Sequence, residues 1–335
     1  MNEGMQTSRD VAAGLSVLVV IPCLNEENTV ASVVAGVPAA IDGVEKIQIL
    51  VMDDGSTDGT AERARAAGAD VVSHASNQGL GATFQEAVGI AIERGADVMV
   101  HIDGDGQFDP ADIPKLVNPL IAGHAHMVTA SRFLDRSLIP EMPRVKLWGN
   151  HAVAWIVKLL TGKRFRDVSC GFRAFSRETL LRMNLFGSFT YTQESFIDLI
   201  FKDLAIIEVP VSVRGVREFG TSRIASSIPR YAIRSLKIML RAFISYRPFR
   251  LFVSIAAVCF LAGFSLLGFL GWHYLQTSQF SPHIWAGFVG GSLCFLGVST
   301  LVTGIIGDML VRIRMNQETM LYNLKRARSE GRSPD

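Results

Sequence analysis

Two carboxylates one residue apart, Asp103 and Asp105, close an apolar run that begins at Val98, in the stretch Val98-Met-Val-His-Ile-Asp-Gly-Asp-Gly-Gln-Phe-Asp-Pro110. Mg²⁺ and Mn²⁺ take hard oxygen ligands, and Mg²⁺ usually sits between one or two carboxylates and a substrate's phosphates. Asp103, Asp105 and the amide oxygen of Gln107 form a candidate set, with Gly104 and Gly106 letting the backbone turn tightly around the ion. The chemistry would be Lewis-acid neutralisation of a departing diphosphate. Taken alone, Asp-Gly-Asp-Gly is also ordinary turn composition.

Such groups need a scaffold that brings them to one edge. Strand-like runs occur at residues 15–21, 47–52, 71–74, 98–102 and 127–130, and helical patterns at 28–37, 57–67, 80–94 and 111–121. This alternation implies an α/β fold with a mostly parallel sheet, which presents binding residues at the carboxyl ends of its strands. Pro22, Leu24, Asn25 and Glu26 then follow the first strand, and Asp53 and Asp54 end the second. Both acids are then candidate binding residues. Each acid, and Asn25, has an alternative as a helix cap, because Ser56, Thr57 and Asp58 open a helix directly afterwards.

Residues 19–27 (Val-Val-Ile-Pro-Cys-Leu-Asn-Glu-Glu), 51–60 (Val-Met-Asp-Asp-Gly-Ser-Thr-Asp-Gly-Thr), Asn77-x-Gly-x-Gly81 and Asp103-Gly-Asp-Gly-Gln107 together resemble the ordered signature of family 2 glycosyltransferases. With Ser169-Cys-Gly-Phe-Arg173 and two apolar carboxyl-terminal runs, the chain is similar to the polyprenyl-phosphate branch that includes dolichyl-phosphate mannose synthase. The resemblance implies a GT-A type, Rossmann-like domain, a nucleotide diphosphate sugar donor, a polyprenyl phosphate acceptor, Mg²⁺ or Mn²⁺, and inversion by direct displacement. It makes Asp105 catalytic, and assigns Asp53, Asp54 and Asp103 with the first-strand residues to the nucleotide sugar.

The acceptor side is read from fewer signals. Arg132 ends the fifth strand and could hold a phosphate, or could do nothing at the surface. Asp167 and Glu194 are the candidate acceptor-site carboxylates; Gln193-Glu194-Ser195 lacks the acidic second member often found there, leaving Glu194 as the base. A phosphate acceptor, with its low pKa, needs no strong base. Arg217, Ser222 and Arg223 belong to a loop resembling the one that meets phosphates near the membrane. No Gln-x-x-Arg-Trp motif of processive synthases is present, which fits a single transfer.

The chain has 335 residues, 49% of them hydrophobic and 19% charged, with a mean hydropathy of +0.28. That is too apolar for one ordinary soluble domain. The excess lies in residues 251–275 and 284–311, each longer than the roughly 20 residues that span a ~30 Å hydrocarbon core. The connector at 276–283 carries no Lys or Arg, whereas Arg241, Arg247 and Arg250 precede the first run and Arg312, Arg314, Lys325, Arg326 and Arg328 follow the second. Both flanks, and the large amino-terminal domain, are thus expected on the cytoplasmic side of the inner membrane, with no cleavable signal peptide. Cys23, Cys170, Cys259 and Cys294 show no metal spacing and are expected to be free thiols.

Five regions result: a flexible tail (1–14), a catalytic domain (15–225), an amphipathic juxtamembrane segment (226–250), two transmembrane helices (251–311) and a basic cytoplasmic tail (312–335). In the juxtamembrane segment Arg230, Arg234, Lys237 and Arg241 share one helical face, as in a helix lying on anionic lipid. Trp148 and Trp155, one heptad apart in a second amphipathic stretch at 144–160, are read as core. Gly287, Gly290, Gly291 and Gly297 suit close helix packing, between copies as a homo-oligomer or within one chain. No nucleic-acid partner is expected at a formal net charge of +2. The alternatives are transfer to another membrane acceptor and a non-catalytic, nucleotide-sugar-binding membrane partner.

Overall fold

The computed structural model describes residues 14–140, 142, 144–185, 191–214, 236–237, 239–241 and 243–331. The chain divides into two compact units, Met1–Met239 with Tyr322–Asp335, and Leu240–Leu321.

In the first unit, β1 (Leu15–Cys23), β2 (Val44–Asp53), β3 (Asp70–Ser73), β4 (Val98–His101), β5 (Met127–Ser131), β6 (Arg173–Ser176) and β7 (Ile206–Pro210) form one sheet in the order β3-β2-β1-β4-β6-β5-β7. The β1/β2, β1/β4, β2/β3 and β5/β7 pairs are parallel, while β6 runs antiparallel to both β4 and β5. The expected strands recur within a few residues of their expected bounds. Sequence periodicity did not identify β6 and β7. The first of these, Arg-Ala-Phe-Ser, is four residues long and opens on an arginine, so its strand character comes from pairing on both sides.

Helices α1 (Val30–Ala35), α2 (Thr60–Ala66), α3 (Leu80–Glu93), α4 (Ile113–Ile121), α5 (Arg144–Thr161), α6 (Arg177–Arg182) and α7 (Thr192–Phe201) accompany the sheet. A buried cluster joins β1, β2 and β4 to α1 and α4 through Val19, Ile21, Val51, Val100, Val33 and Leu116. The parallel register sets Cys23 opposite Asp53, and Val20 opposite His101. The residues following all three strands therefore emerge at one edge.

Helix α5 departs from expectation. Trp148 is 74% exposed and Trp155 is 61% exposed, and Val145 and Leu159 lie open beside them. At 100° per residue these four side chains share one stripe, while Ala154 and Val157 supply the buried face. The tryptophans belong to the outer stripe and not to the core.

The second unit is built on two long helices, α8 (Pro248–Thr277) and α9 (Ile284–Ser329). Their most apolar windows have mean hydropathies of 2.3 and 1.9, and only 11% and 17% of those windows is buried. A soluble core helix would be mostly buried, so apolar residues this exposed are suited to lipid. Gly263 meets Gly290 and Cys294, Gly287 meets Leu270, Gly297 meets Phe260 and Gly304 meets Phe252. Three of the four glycines considered for self-association are thus used inside this hairpin; Gly291 has no neighbour there.

The segment expected as a tail from residue 312 continues α9 to Ser329. It carries no Gly or Pro before that point, and Asp308–Arg312 and Arg314–Glu318 are i,i+4 ion pairs along it. Of the juxtamembrane stretch, Lys237 and Arg241 are exposed, whereas Arg230 and Arg234 lie outside the described residues.

Candidate functional site

The acidic edge is organised around Cys23, the last residue of β1. Its thiol is pushed well above the usual range by burial first, and then by the charges of Glu26, Asp53, Asp103 and Asp105. Four carboxylates that follow or end three strands therefore lie near enough to act on one buried sulfur. Gly104 passes so close to Cys23 and the Pro22 carbonyl that a Cβ there would overlap the sulfur. Thr29 Oγ1 donates to Gly104 O (2.7 Å), and Gly106 turns with φ +70 against Thr29. Asp105 is buried and its Oδ1 accepts from Gln107 N (3.0 Å), while Asp103 is half-buried.

Among the described residues no group of three or more His, Cys, Asp or Glu side chains forms a self-contained metal site. Two carboxylates beside an open edge suit an ion that completes its shell with phosphate and water oxygens, which is the habit of Mg²⁺. Gln107 is partly committed elsewhere. Its Nε2 donates to Arg214 O (3.0 Å), Arg214 N donates to Gln107 O (3.0 Å), and Phe108 bridges Val213.

The loops after β1 and β2 are laced together. Asn25, with φ +55, donates its N–H to Ser56 Oγ (2.8 Å), and its Oδ1 accepts from Thr57 N (2.8 Å). Glu26 N donates to Thr60 Oγ1 (2.9 Å). Asn25 therefore caps the neighbouring turn and not its own helix. Pro22, Leu24 and Glu26 are half-buried along the same edge.

Asp53 accepts from Ser56 N (3.0 Å). Asp54, expected to meet the nucleotide, holds the following loop: Oδ1 accepts from Gln78 N and Oδ2 from Gly79 N (2.8 and 2.9 Å). His74 Nδ1 also lies 2.8 Å from Asp54 Oδ1, and its Nε2 lies 2.6 Å from Glu86 Oε2. Burial would lower the His74 pKa, but these two carboxylates raise it overall. Asp54 thus holds residues 77–79, and Asp53 is close enough to Cys23 for its charge to act on the thiol.

On the acceptor side the geometry revises two expectations. Arg132 Nε and Nη2 grip Asp167 at 2.7 and 2.9 Å, and Arg132 N adds a third bond at 3.1 Å. Burial alone would raise the Asp167 carboxyl; the guanidinium reverses this and holds it below the ordinary range. A carboxylate so stabilised is a poor proton acceptor, so Asp167 is a structural partner and not a base. Arg132 also donates to Ser169 Oγ (2.9 Å), and is correspondingly committed away from phosphate.

Glu194 sits half-buried in the first turn of α7. Arg217, Ser222 and Arg223 lie outside the described residues.

Three buried residues whose individual roles were not legible in the sequence organise this half. Arg173, fully buried, donates to Val168 O, Cys170 O, Thr192 O and Ser195 Oγ at 2.7–3.0 Å, and packs against the Phe196 ring. It ties the loop before β6 to the start of α7. Tyr191 stacks on Phe84 with centroids 3.8 Å apart, and its hydroxyl donates to Gly171 O (2.9 Å). His101, whose pKa burial lowers to about 3, is neutral beside it, with Nδ1 at 2.8 Å from Tyr191 Oη. The sequence signals were the Ser169–Arg173 motif that ends on Arg173 and a lone histidine inside the apolar run of β4.

The profile described as Glycosyl transferase family 2 matches residues 18–184. The chain is 29% identical to glycosyltransferase AglJ of Haloferax volcanii over 92% of this chain and 98% of that one. It is 30% identical to the polyprenol monophosphomannose synthase of Mycolicibacterium smegmatis, over 64% of this chain and 83% of that one. Among solved structures, it is similar to glucosyl-3-phosphoglycerate synthase from Mycobacterium tuberculosis in complex with Mn²⁺, UDP-glucose and phosphoglyceric acid. That match has a TM-score of 0.55 and 26% identity, covering 69% of this chain and 80% of that one. The acidic edge at the ends of β1, β2 and β4, the profile that spans it and a relative matched over most of its length agree, and this chain belongs to glycosyl transferase family 2.

Proposed function

We propose that the protein transfers one sugar from a nucleotide diphosphate sugar to a polyprenyl phosphate at a membrane surface, with inversion at the anomeric carbon. The observation that carries this reading is the convergence of Glu26, Asp53, Asp103 and Asp105 at one sheet edge, in a chain that also bears two exposed apolar helices. Similarity to the polyprenol monophosphomannose synthase supports the acceptor class, and similarity to a synthase crystallised with Mn²⁺ and UDP-glucose supports the donor class.

Asp103 and Asp105 would hold a divalent ion, which when bound supplies Lewis-acid neutralisation of the leaving diphosphate. Asp53 and Glu26 border the nucleotide, and Asp54 keeps residues 77–79 in place beneath it. Glu194 lies on the acceptor side. A phosphate monoester is ionised near neutral pH, so Glu194 positions the acceptor instead of removing its proton. The basic flanks of the two apolar helices support a cytoplasmic catalytic unit, and the open tryptophan stripe of α5 supports contact with the lipid interface.

The test is transfer of radiolabelled sugar to undecaprenyl phosphate by the purified, detergent-solubilised chain, with UDP and GDP donors, with and without Mg²⁺ or Mn²⁺. A chloroform-soluble, metal-dependent product that disappears in Asp105→Ala, with the thermal midpoint retained, is expected. Nucleotide binding without lipid product from any donor would overturn the acceptor assignment.

A further inference from the structure

We infer that Tyr191 is a positioning residue for the divalent-metal carboxylate Asp103, acting through the backbone of Gly171. This deepens the proposed function and rests on its reading of Asp103 as a ligand.

The space that a side chain at position 171 would fill is occupied by the Asp103 carboxylate. A Cβ there would lie 2.9 Å from Asp103 Oδ2 and 3.2 Å from Oδ1. Gly171 has no positive φ, so the requirement is room and not backbone freedom. The location of that surface is set from behind. Gly171 O accepts from Tyr191 Oη (2.9 Å) and lies 3.2 Å from His101 Nδ1. With the tyrosine hydroxyl donating to the carbonyl, the histidine proton falls on Nδ1 and points to Tyr191 Oη and Gly171 O, so His101 completes the orientation.

Tyr191 itself cannot swing freely, since it is fully buried and stacked on Phe84 with the rings 2° from parallel. Arg173 fixes the carbonyls of Val168 and Cys170 on the same loop, while a second arm reaches Thr192 O and Ser195 Oγ, which flank Glu194. At Gly171 this loop abuts Asp103. The metal carboxylate just after β4 and the acceptor-side carboxylate on α7 are thus referred to one buried anchor. Partners behind a metal ligand are worth about 10–100-fold in metal affinity.

The experiment uses the full chain in detergent and titrates Mn²⁺ by electron paramagnetic resonance in the presence of UDP and, separately, GDP. Thermal midpoints and the Mn²⁺ concentration for half-maximal transfer are recorded beside it. Tyr191→Phe keeps the ring stack and deletes the hydroxyl. It is expected to raise the Mn²⁺ Kd about tenfold, with a parallel shift in the metal dependence of transfer and restored rates at saturating metal. Gly171→Ala, which pushes directly on the carboxylate, is expected to exceed that. If Gly171→Ala does not fold, Tyr191→Phe decides alone. A Tyr191→Phe protein with wild-type Mn²⁺ affinity and a lowered midpoint would make the hydroxyl purely structural and overturn the inference. Wild-type affinity in Asp103→Asn would instead overturn the ligand assignment on which it rests.

Discussion

Removing the Arg132 side chain should damage the fold before it damages acceptor binding. Asp167 has no exposed side-chain surface, and it receives Arg132 Nε, Nη2 and N together with Ser169 N (3.3 Å). Arg132→Met takes away the only cation bonded to it among the described residues, and two of the strongest donors, while leaving similar apolar bulk. Stripping one partner from a buried ion pair costs about 3–5 kcal/mol. At about 2–4 °C per kcal/mol for a domain of 150–250 residues, the midpoint should fall by about 6–20 °C.

The double variant Arg132→Met/Asp167→Asn should recover more than half of that loss, because a neutral amide is far less costly to bury than an unpaired carboxylate. The assay is thermal unfolding of the four proteins of the cycle in detergent, paired with the KM for lipid phosphate of those that remain folded. An Arg132→Met protein with an unchanged midpoint and a tenfold higher lipid-phosphate KM would refute the argument. It would return Arg132 to the role of phosphate binder.

Gly104→Ala should destabilise by about 1–3 kcal/mol through overpacking on Cys23, and Cys23→Ala should relieve part of it; unfolding midpoints of the single and double variants measure this. Both ring nitrogens of His74 face carboxylate oxygens, so both can donate only in the imidazolium form. Its pKa is raised in the fold, so its stabilisation is complete below the ordinary histidine range and fades as pH climbs through the raised value. The midpoint difference between wild type and His74→Gln should accordingly shrink as pH rises above about 6.5, and a gap that widens would contradict this. In proteoliposomes of Trp272→Phe/Trp285→Phe protein, the remaining Trp148 and Trp155 should be quenched by lipids brominated near the headgroup; quenching no greater than in detergent would place α5 away from the bilayer.

The order of strands and helices through β5, the two apolar spans and the acidic residues at the strand ends were all legible in the chain. Each is written in local pattern: an apolar run of strand length, a following acid or turn residue, a run long enough for lipid. The four motif segments carried the family as well, since their order survives without any three-dimensional information. What any one of those acids touches did not follow, because a hydrogen-bonding partner is chosen by residues remote in sequence. Asp54 and Asp53 are neighbours in the chain, yet one is turned to the loop at 77–79 and the other accepts from Ser56 N. Asp167 has the composition of a base and the surroundings of a counter-ion, and Arg132 lies 35 residues away from it.

Trp148 and Trp155 show the same limit from the apolar side. Their spacing establishes a stripe, but whether protein or lipid covers it depends on which face of α5 the sheet occupies, and Ala154 and Val157 take that place. The antiparallel β6 depends on pairing with both β4 and β5, which its four residues do not encode. By itself, then, the sequence determined which chemistry is available and in what order it is strung along a parallel α/β edge, because periodicity and motif order are local properties. Only the tertiary structure decided which acids hold a neighbouring loop or a buried arginine and which gather around Cys23, because burial and charge pairing are made by segments that meet after folding.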